Sequence, residues 1–323
     1  MSARSALSVR RFDVSDIPDQ TGKTILITGA NNGLGLHAAT ALAGAGARIV
    51  LACRNQTTGR AALDAVRARS QQRGSDADHR LIQLDLADLA SVRDAGKAAL
   101  DAAPALDVLI NNAGLMAVPF GRTADGFEMQ IGTNHLGHFA LTDALLPALL
   151  ATPAPRVVTL SSIAHRGARM DTDDFAFEHR RYDRMGAYGQ SKLANLLFAG
   201  ELARRAETAG APLTSVAAHP GVAATNLFDE FAPPIPGAKP ILHAGLRVVG
   251  NSESRGALSQ LYAATMPDVR NGDYLGPTLL FGTRGPVRRS PRSRSAQDEN
   301  LARRLWERSV ELTGADYAAL DGR

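Results

Sequence analysis

From residue 24 to about residue 220 the chain alternates two hydrophobic rhythms. Short unbroken apolar runs read as buried strands: TILIT at 24–28, RIVLAC at 48–53, RLIQL at 80–84, VLI at 108–110, RVVTLS at 156–161 and SVAAH at 215–219. Between them lie segments of helical length and composition, at 35–45, 56–72, 88–102, 125–150 and 186–208. Strand, helix, strand, repeated in this way, calls for right-handed crossovers and a parallel sheet covered on both faces. The expected fold is α/β, a single doubly wound parallel β-sheet flanked by helices on both faces. It should occupy residues 16–323 as one domain, after a flexible tail at 1–15. LARRLWERSVEL at 301–312 predicts an amphipathic helix that lays Trp306 on the body.

Two segments break the rhythm. Residues 163–187 are a polar insertion between a strand and a helix, and residues 226–250 are rich in proline and apolar side chains. Long irregular loops in compact domains are often lids or binding loops, so both are expected to shape a substrate site.

Composition narrows the class. With 45% hydrophobic and 21% charged residues, the chain can bury a sizeable core, and its net charge of +4 is small for 323 residues. A single cysteine, Cys53, excludes an internal disulfide and a multi-cysteine metal site, and fits a reducing compartment. No apolar run reaches the length of a membrane span. A cytoplasmic protein is the expectation.

Chemistry concentrates at the strand ends. After the first strand comes TGANNGLG, with Gly29, Asn31, Asn32, Gly33, Leu34 and Gly35. Glycines at a strand-to-helix junction allow a tight turn and a close backbone approach to a pyrophosphate, which the helix N-terminus attracts. The spacing is G-x-x-x-G-x-G. The second strand ends in Cys53–Arg54, with no acid. A guanidinium there suits the 2′-phosphate of NADP, whereas NAD enzymes tend to place a carboxylate. NADP(H) is therefore expected over NAD(H).

Taken together these pieces resemble the short-chain dehydrogenase/reductase family from about Asp16 to the C-terminus. TGANNGLG is similar to its cofactor loop. Asp85–Leu86 is similar to its adenine contact, and NNAG, which includes Asn112, Ala113 and Gly114, to its turn after the fourth strand. NHLGHF carries its helix asparagine, Asn134, and SSIAH carries its serine. YGQSK is its Y-x-x-x-K motif, and HPGVAAT, with Pro220, Gly221, Val222 and Thr225, is similar to the loop that holds the nicotinamide amide. All seven occur in order. The pattern is closest to retinol-dehydrogenase-like NADP-dependent oxidoreductases. The resemblance implies a Rossmann-type sheet and a cofactor contacted by these residues and by Tyr188 and Lys192. It also implies a homodimer paired through the helices that hold Asn134 and Tyr188.

The Y-x-x-x-K spacing has a chemical reason. Residues i and i+4 share a helix face, so Tyr188 and Lys192 point the same way. A nearby ammonium favours phenolate and should lower the tyrosine pKa toward neutrality, making a better acid or base. Tyr188 is expected to give a proton to the developing alkoxide during carbonyl reduction. By the resemblance, Lys192 also holds the ribose hydroxyls, Asn134 positions a water beside the lysine, and Ser162, the second of its pair, is the catalytic serine. A serine hydroxyl here can stabilise charge forming on the substrate oxygen.

Other features point elsewhere. His135 and His138 stand at i and i+3 in a helix, but no third metal ligand accompanies them, and packing is expected; no metal site is assigned. His165 is expected to be structural, and His219 to shape the Pro-Gly turn. RGPVRRSPRSRS at 284–295 clusters arginines without aromatics, which suggests a solvated loop rather than a nucleic-acid surface. The expected function is an NADP(H)-dependent oxidoreductase of a fairly apolar carbonyl or alcohol. The alternatives are a non-catalytic NADP(H)-binding regulator on the same fold and a sugar-nucleotide epimerase. The intact set Asn134, Ser162, Tyr188 and Lys192 speaks against the first, and the glycine spacing against the second.

Overall fold

The first strand shows how the sheet is built. In β1 (Thr24–Thr28) every residue after Thr24 is buried. Ile25 and Ile27 point into one apolar cluster, with Leu42, Val66 and Leu261, while Leu26 points into another, with Phe139, Val157 and Phe198. A strand buried on both faces needs helices on both sides. A computed structural model describes residues 11–222 and 252–321 and supplies them. After β1 come α1 (Gly33–Gly44), β2 (Arg48–Cys53), α2 (Gln56–Gln72), β3 (Arg80–Gln83), α3 (Leu89–Ala102) and β4 (Val108–Asn111). The chain continues through α4 (Gly137–Leu150), β5 (Arg156–Leu160), α5 (Arg184–Thr208), β6 (Thr214–Ala218), α6 (Glu253–Thr265), β7 (Tyr274–Leu279), β8 (Arg284–Arg289) and α7 (Glu299–Thr313). One sheet of eight strands results, in the order β3-β2-β1-β4-β5-β6-β7-β8, parallel except for the final antiparallel pair. The Rossmann-type α/β expectation holds.

Helix starts follow local chemistry. Asn55 caps α2 by accepting from Thr58 N, and Asp88 caps α3 by accepting from Ala90 N and Ser91 N. The helix expected over 125–150 begins later. Gly126 turns at φ +85°, and the Glu128 carboxylate accepts from Gln130 N at 2.9 Å and Ile131 N at 2.8 Å. A single turn, Met129–Ile131, then runs into a π-helical segment, Gly132–Leu136, before α4.

Two other expectations need revision. The arginine-rich stretch expected as a solvated loop contains β8, whose Arg289 pairs with Asp273 at 2.8 Å. Of the tail expected over 1–15, residues 11–15 are described: Asp13 caps a 3-10 turn at Val14–Asp16, and Phe12 meets Tyr262 edge to face at 5.1 Å. The helix α7 lies against both α4 and α5, the helices expected to pair two copies. Trp306 stands 5.0 Å from Phe139 of α4 and 5.9 Å from Phe198 of α5, and the Tyr317 hydroxyl donates to Phe139 O at 2.8 Å. Thr225 and the loop expected over 226–250 lie outside the described residues.

Candidate active site

The strand order reverses between β1 and β4, and ligands of open α/β sheets bind where this happens, beyond the carboxyl ends of the strands. A cavity of about 980 Å3 opens there. Gly29, Asn31, Asn32, Gly33, Leu34, Gly35, Arg54, Asp85, Leu86, Asn112, Ala113, Gly114, Pro220, Gly221 and Val222 all border it, as do Ser162, Tyr188 and Lys192. Asn134 does not; it is buried behind Gly114.

One wall is made of backbone. Gly29 turns at φ +63°, in the left-handed region. A Cβ on Gly35 would sit 2.4 Å from Gly29 O and 2.6 Å from Asn112 Nδ2, so no larger residue fits. The turn is tied to β4: the Thr28 hydroxyl accepts from Asn112 N at 2.9 Å and Ala113 N at 3.0 Å, and Asn112 Nδ2 donates to Thr28 O at 2.8 Å. Asn32 is the N-cap of α1, yet its side chain makes no capping bond and the first turn carries no acid. The leading amides of α1 are thus left to a ligand. These features fit a dinucleotide: an uncapped helix start, a glycine cradle that a methyl group would fill, and a long cleft. Arg54 is exposed at the end of β2, on the same cleft.

The facing wall is made of side chains from β5 and α5. Lys192 is buried, its Nζ 5.8 Å from the centre of the Tyr188 ring and 3.2 Å from Leu160 O, to which it donates. Burial pushes the lysine pKa down to about 8. Burial also raises the Tyr188 pKa, and a hydrogen bond with the Ser162 hydroxyl partly offsets this. The expected lowering of the phenol by its lysine is therefore absent from the protein alone, where the ammonium turns to the Leu160 carbonyl and loss of water dominates. The two serines have separate tasks: Ser161 Oγ donates to Lys192 O at 2.7 Å, fixing β5 to α5, while Ser162 faces the cleft.

Asn134 locks this wall to the other. Its Oδ1 accepts from Leu115 N at 2.7 Å, and its Nδ2 donates to Leu115 O at 2.9 Å and Ser191 Oγ at 2.8 Å. A Cβ on Gly114 would lie 3.0 Å from Asn134 Oδ1 and 3.3 Å from Lys192 Nζ, which places amide and ammonium on one side of the NNAG turn. His138 bridges Asn134 O and the Thr28 hydroxyl, and His135 meets the Ser309 hydroxyl. Burial holds both histidines well below the usual imidazole range. His165 meets Ser162 O at 2.7 Å through Nδ1, and His219 accepts from Gly221 N at 3.3 Å. Among the described residues no group of three His, Cys, Asp or Glu side chains could hold a metal.

Sequence reasoning did not single out Leu115, Met116, Thr133, Ile163, Ala164, Met185 or Glu253, which also border the cavity. Met116 packs against Tyr188, with Ala164 beside it, and gives the catalytic end an apolar lining. No motif marks these positions; they come together through tertiary structure. Glu128, Gln130 and Tyr182 brace this end. The Tyr182 hydroxyl donates to Glu128 Oε1 at 3.0 Å and to Val118 O at 3.1 Å, and Gln130 Oε1 accepts from Ala117 N at 2.7 Å.

Comparison with known proteins agrees with this geometry. Residues 23–234 match the family model for short chain dehydrogenase. Human retinol dehydrogenase 13 is 38% identical over 300 residues, covering 91% of this chain and 86% of that protein. A polyprenol dehydrogenase of Mus musculus is 38% identical over 316 residues, covering 95% and 88%. A crystal structure of an uncharacterized protein from Mycobacterium Paratuberculosis superposes with a TM-score of 0.78 at 42% identity, covering 95% of this chain and 99% of that one.

Proposed function

The chain belongs to the short chain dehydrogenase family, and from that premise we propose that it is an NADP(H)-dependent oxidoreductase acting on the carbonyl or alcohol of a fairly apolar small molecule. The observation that carries this reading is the meeting of Tyr188, Ser162 and Lys192 on one wall of a cleft whose other wall is an uncapped, glycine-built helix start. The cofactor, when bound, supplies or accepts the hydride. Gly29 to Gly35 hold its pyrophosphate with backbone amides, Arg54 holds the 2′-phosphate, and Asp85 and Leu86 border the adenine. Asn112 to Gly114 and Pro220 to Val222 would flank its nicotinamide half. NADP(H) is favoured over NAD(H) because Arg54 is the charged group at the end of β2.

Tyr188 is the acid and base. During reduction its hydroxyl gives a proton to the oxygen that gains charge, and during oxidation it takes the proton back. In the ligand-free protein the Ser162 hydroxyl bonds to Tyr188 and favours phenolate; with substrate bound it turns its one proton to the substrate oxygen instead. Lys192, whose pKa burial lowers to about 8, would share its site with hydroxyls of the ribose, and its positive charge would then lower the phenol. Asn134 positions this lysine through the NNAG turn. Met116, Met185, Ile163 and Ala164 give the substrate an apolar surface, and the names of the retinol and polyprenol dehydrogenases agree with an alcohol.

The test is a panel of apolar aldehydes, ketones and alcohols assayed with NADPH and NADP+, with Tyr188→Phe alongside. Turnover should fall by about 10²–10⁴-fold in the variant while NADPH affinity stays within about twofold. Wild-type protein that binds NADPH but turns over nothing in either direction would overturn the reading.

A further inference from the structure

Among the described residues two carboxylates, Asp85 and Glu253, border the cleft. Asp85 is engaged by its own loop, accepting from Ala87 N at 3.0 Å. Glu253 is different. It comes from the first turn of α6, far along the chain, and reaches the start of α1. Its Oε1 lies 3.5 Å from where a Cβ on Gly33 would stand, and its Oε2 lies 3.8 Å from His37 Nε2 on α1. The placement is rigid, because α6 packs along α1 and Gln260 Nε2 donates to Leu34 O at 2.9 Å. Glu253 is about one-third exposed and faces the cleft.

An acid beside a helix N-terminus is favourable in the absence of another anion. A pyrophosphate at the same helix start is a second anion, and like charges a few ångströms apart near a protein surface repel appreciably. Resting on the cofactor reading above, we infer that Glu253 is an electrostatic brake on cofactor retention: it steadies the empty helix start and weakens the hold on the bound dinucleotide, speeding its exchange. In the proposed reaction the cofactor leaves in every cycle, and product release limits the turnover of many enzymes. The brake uses a fixed charge. Neutralising it should leave the cradle's shape intact.

The experiment titrates NADPH against wild type, E253Q and E253K by fluorescence, with dissociation followed by stopped flow. E253Q should bind about three- to tenfold more tightly, with slower release, and E253K more tightly still. Both gains should shrink as salt rises from about 20 mM to about 500 mM. Circular dichroism and melting temperature establish that each variant folds, and the graded order from Glu to Gln to Lys separates charge from shape. If wild type binds NADPH and both variants bind it equally or less tightly, this inference fails and the cofactor reading stands. Should wild type bind neither NADPH nor NADH, the cofactor reading fails and carries the inference with it.

Discussion

The two walls of the cleft are built of different material. On the β1–β4 side, turns, glycines and helix amides do the shaping, and Thr28 and Asn112 tie backbone to backbone. On the β5–α5 side, the wall is made of buried side chains with shifted pKa values, the groups to which the proposed function gives the chemistry. A backbone wall recognises what every dinucleotide shares, and it fails by steric intrusion. A side-chain wall fails by loss of one functional group while the fold survives. This contrast predicts how each should break.

The largest effect is expected on the backbone wall. Gly35→Ala puts a methyl group 2.4 Å from Gly29 O, in a place where both turn and helix are pinned. Overpacking of this kind costs on the order of 2–3 kcal/mol. Urea unfolding should show that loss, and NADPH affinity should drop at least about tenfold, since the cradle must open. If Gly35→Ala keeps both wild-type stability and NADPH affinity, the wall is less rigid than its geometry indicates. Tyr188→Phe makes the opposing case, with binding kept and turnover lost.

A smaller effect sharpens the same contrast at its edge. Arg54 stands at the rim of the backbone wall and contributes a side chain. Arg54→Ala should raise the KM for NADPH about 10–100-fold with kcat nearly unchanged, and leave NADH kinetics within about twofold, since charge-assisted phosphate contacts are worth roughly 1.5–3 kcal/mol. Equal losses for both cofactors would show that Arg54 supports the fold and does not read the phosphate.

Legibility in the sequence follows the same division. β1, β2 and α2 have the bounds expected from pattern, because central strands of a parallel sheet are nearly unbroken apolar runs and α2 has a clear Asn cap. β7 and β8 were not legible. YLGPTL and RGPVRR carry glycine, proline and arginine, which suit an edge that must not pair further, and such residues weaken the strand signal. Site motifs whose residues are close in sequence, such as the glycine loop or Y-x-x-x-K, could be found by spacing. Met116, Met185 and Glu253 belong to no motif, and the sheet alone brings them together. The pKa of Tyr188 was misjudged for a related reason. Sequence shows a lysine four residues away but not the burial that outweighs its charge in the protein alone.

The smallest effect tests whether that burial is real. Lys192 has a folded pKa of about 8 against an ordinary value of 10.5. Folding therefore disfavours its ammonium. Below about pH 8 both states are protonated and the penalty is fully present. Between about 8 and 10.5 the unfolded chain still binds the proton that the folded chain has lost, so stability rises with pH across that window. Tyr188 acts in the opposite sense, since its raised pKa favours the folded state's neutral phenol, but only above about pH 10. Burial also raises the Cys53 thiol from 9.0 to about 11, which works against the lysine in the same window, so the lysine is isolated by the difference between wild type and a Lys192 variant, in which Cys53 cancels. Lys192→Met removes the charge and leaves Leu160 O still accepting from Asn195 Nδ2 at 2.9 Å. Ligand-free Lys192→Met should be more stable than wild type at pH 7.5, by about 1 kcal/mol, well inside the ceiling of roughly 3.4 kcal/mol that a pKa of about 8 against 10.5 sets. Its advantage should narrow steadily by pH 9.5 in urea titrations. A gap that does not change with pH would mean that Lys192 is already paired or solvated in the empty cleft, and the side-chain wall would then differ less from the backbone wall than its burial implies.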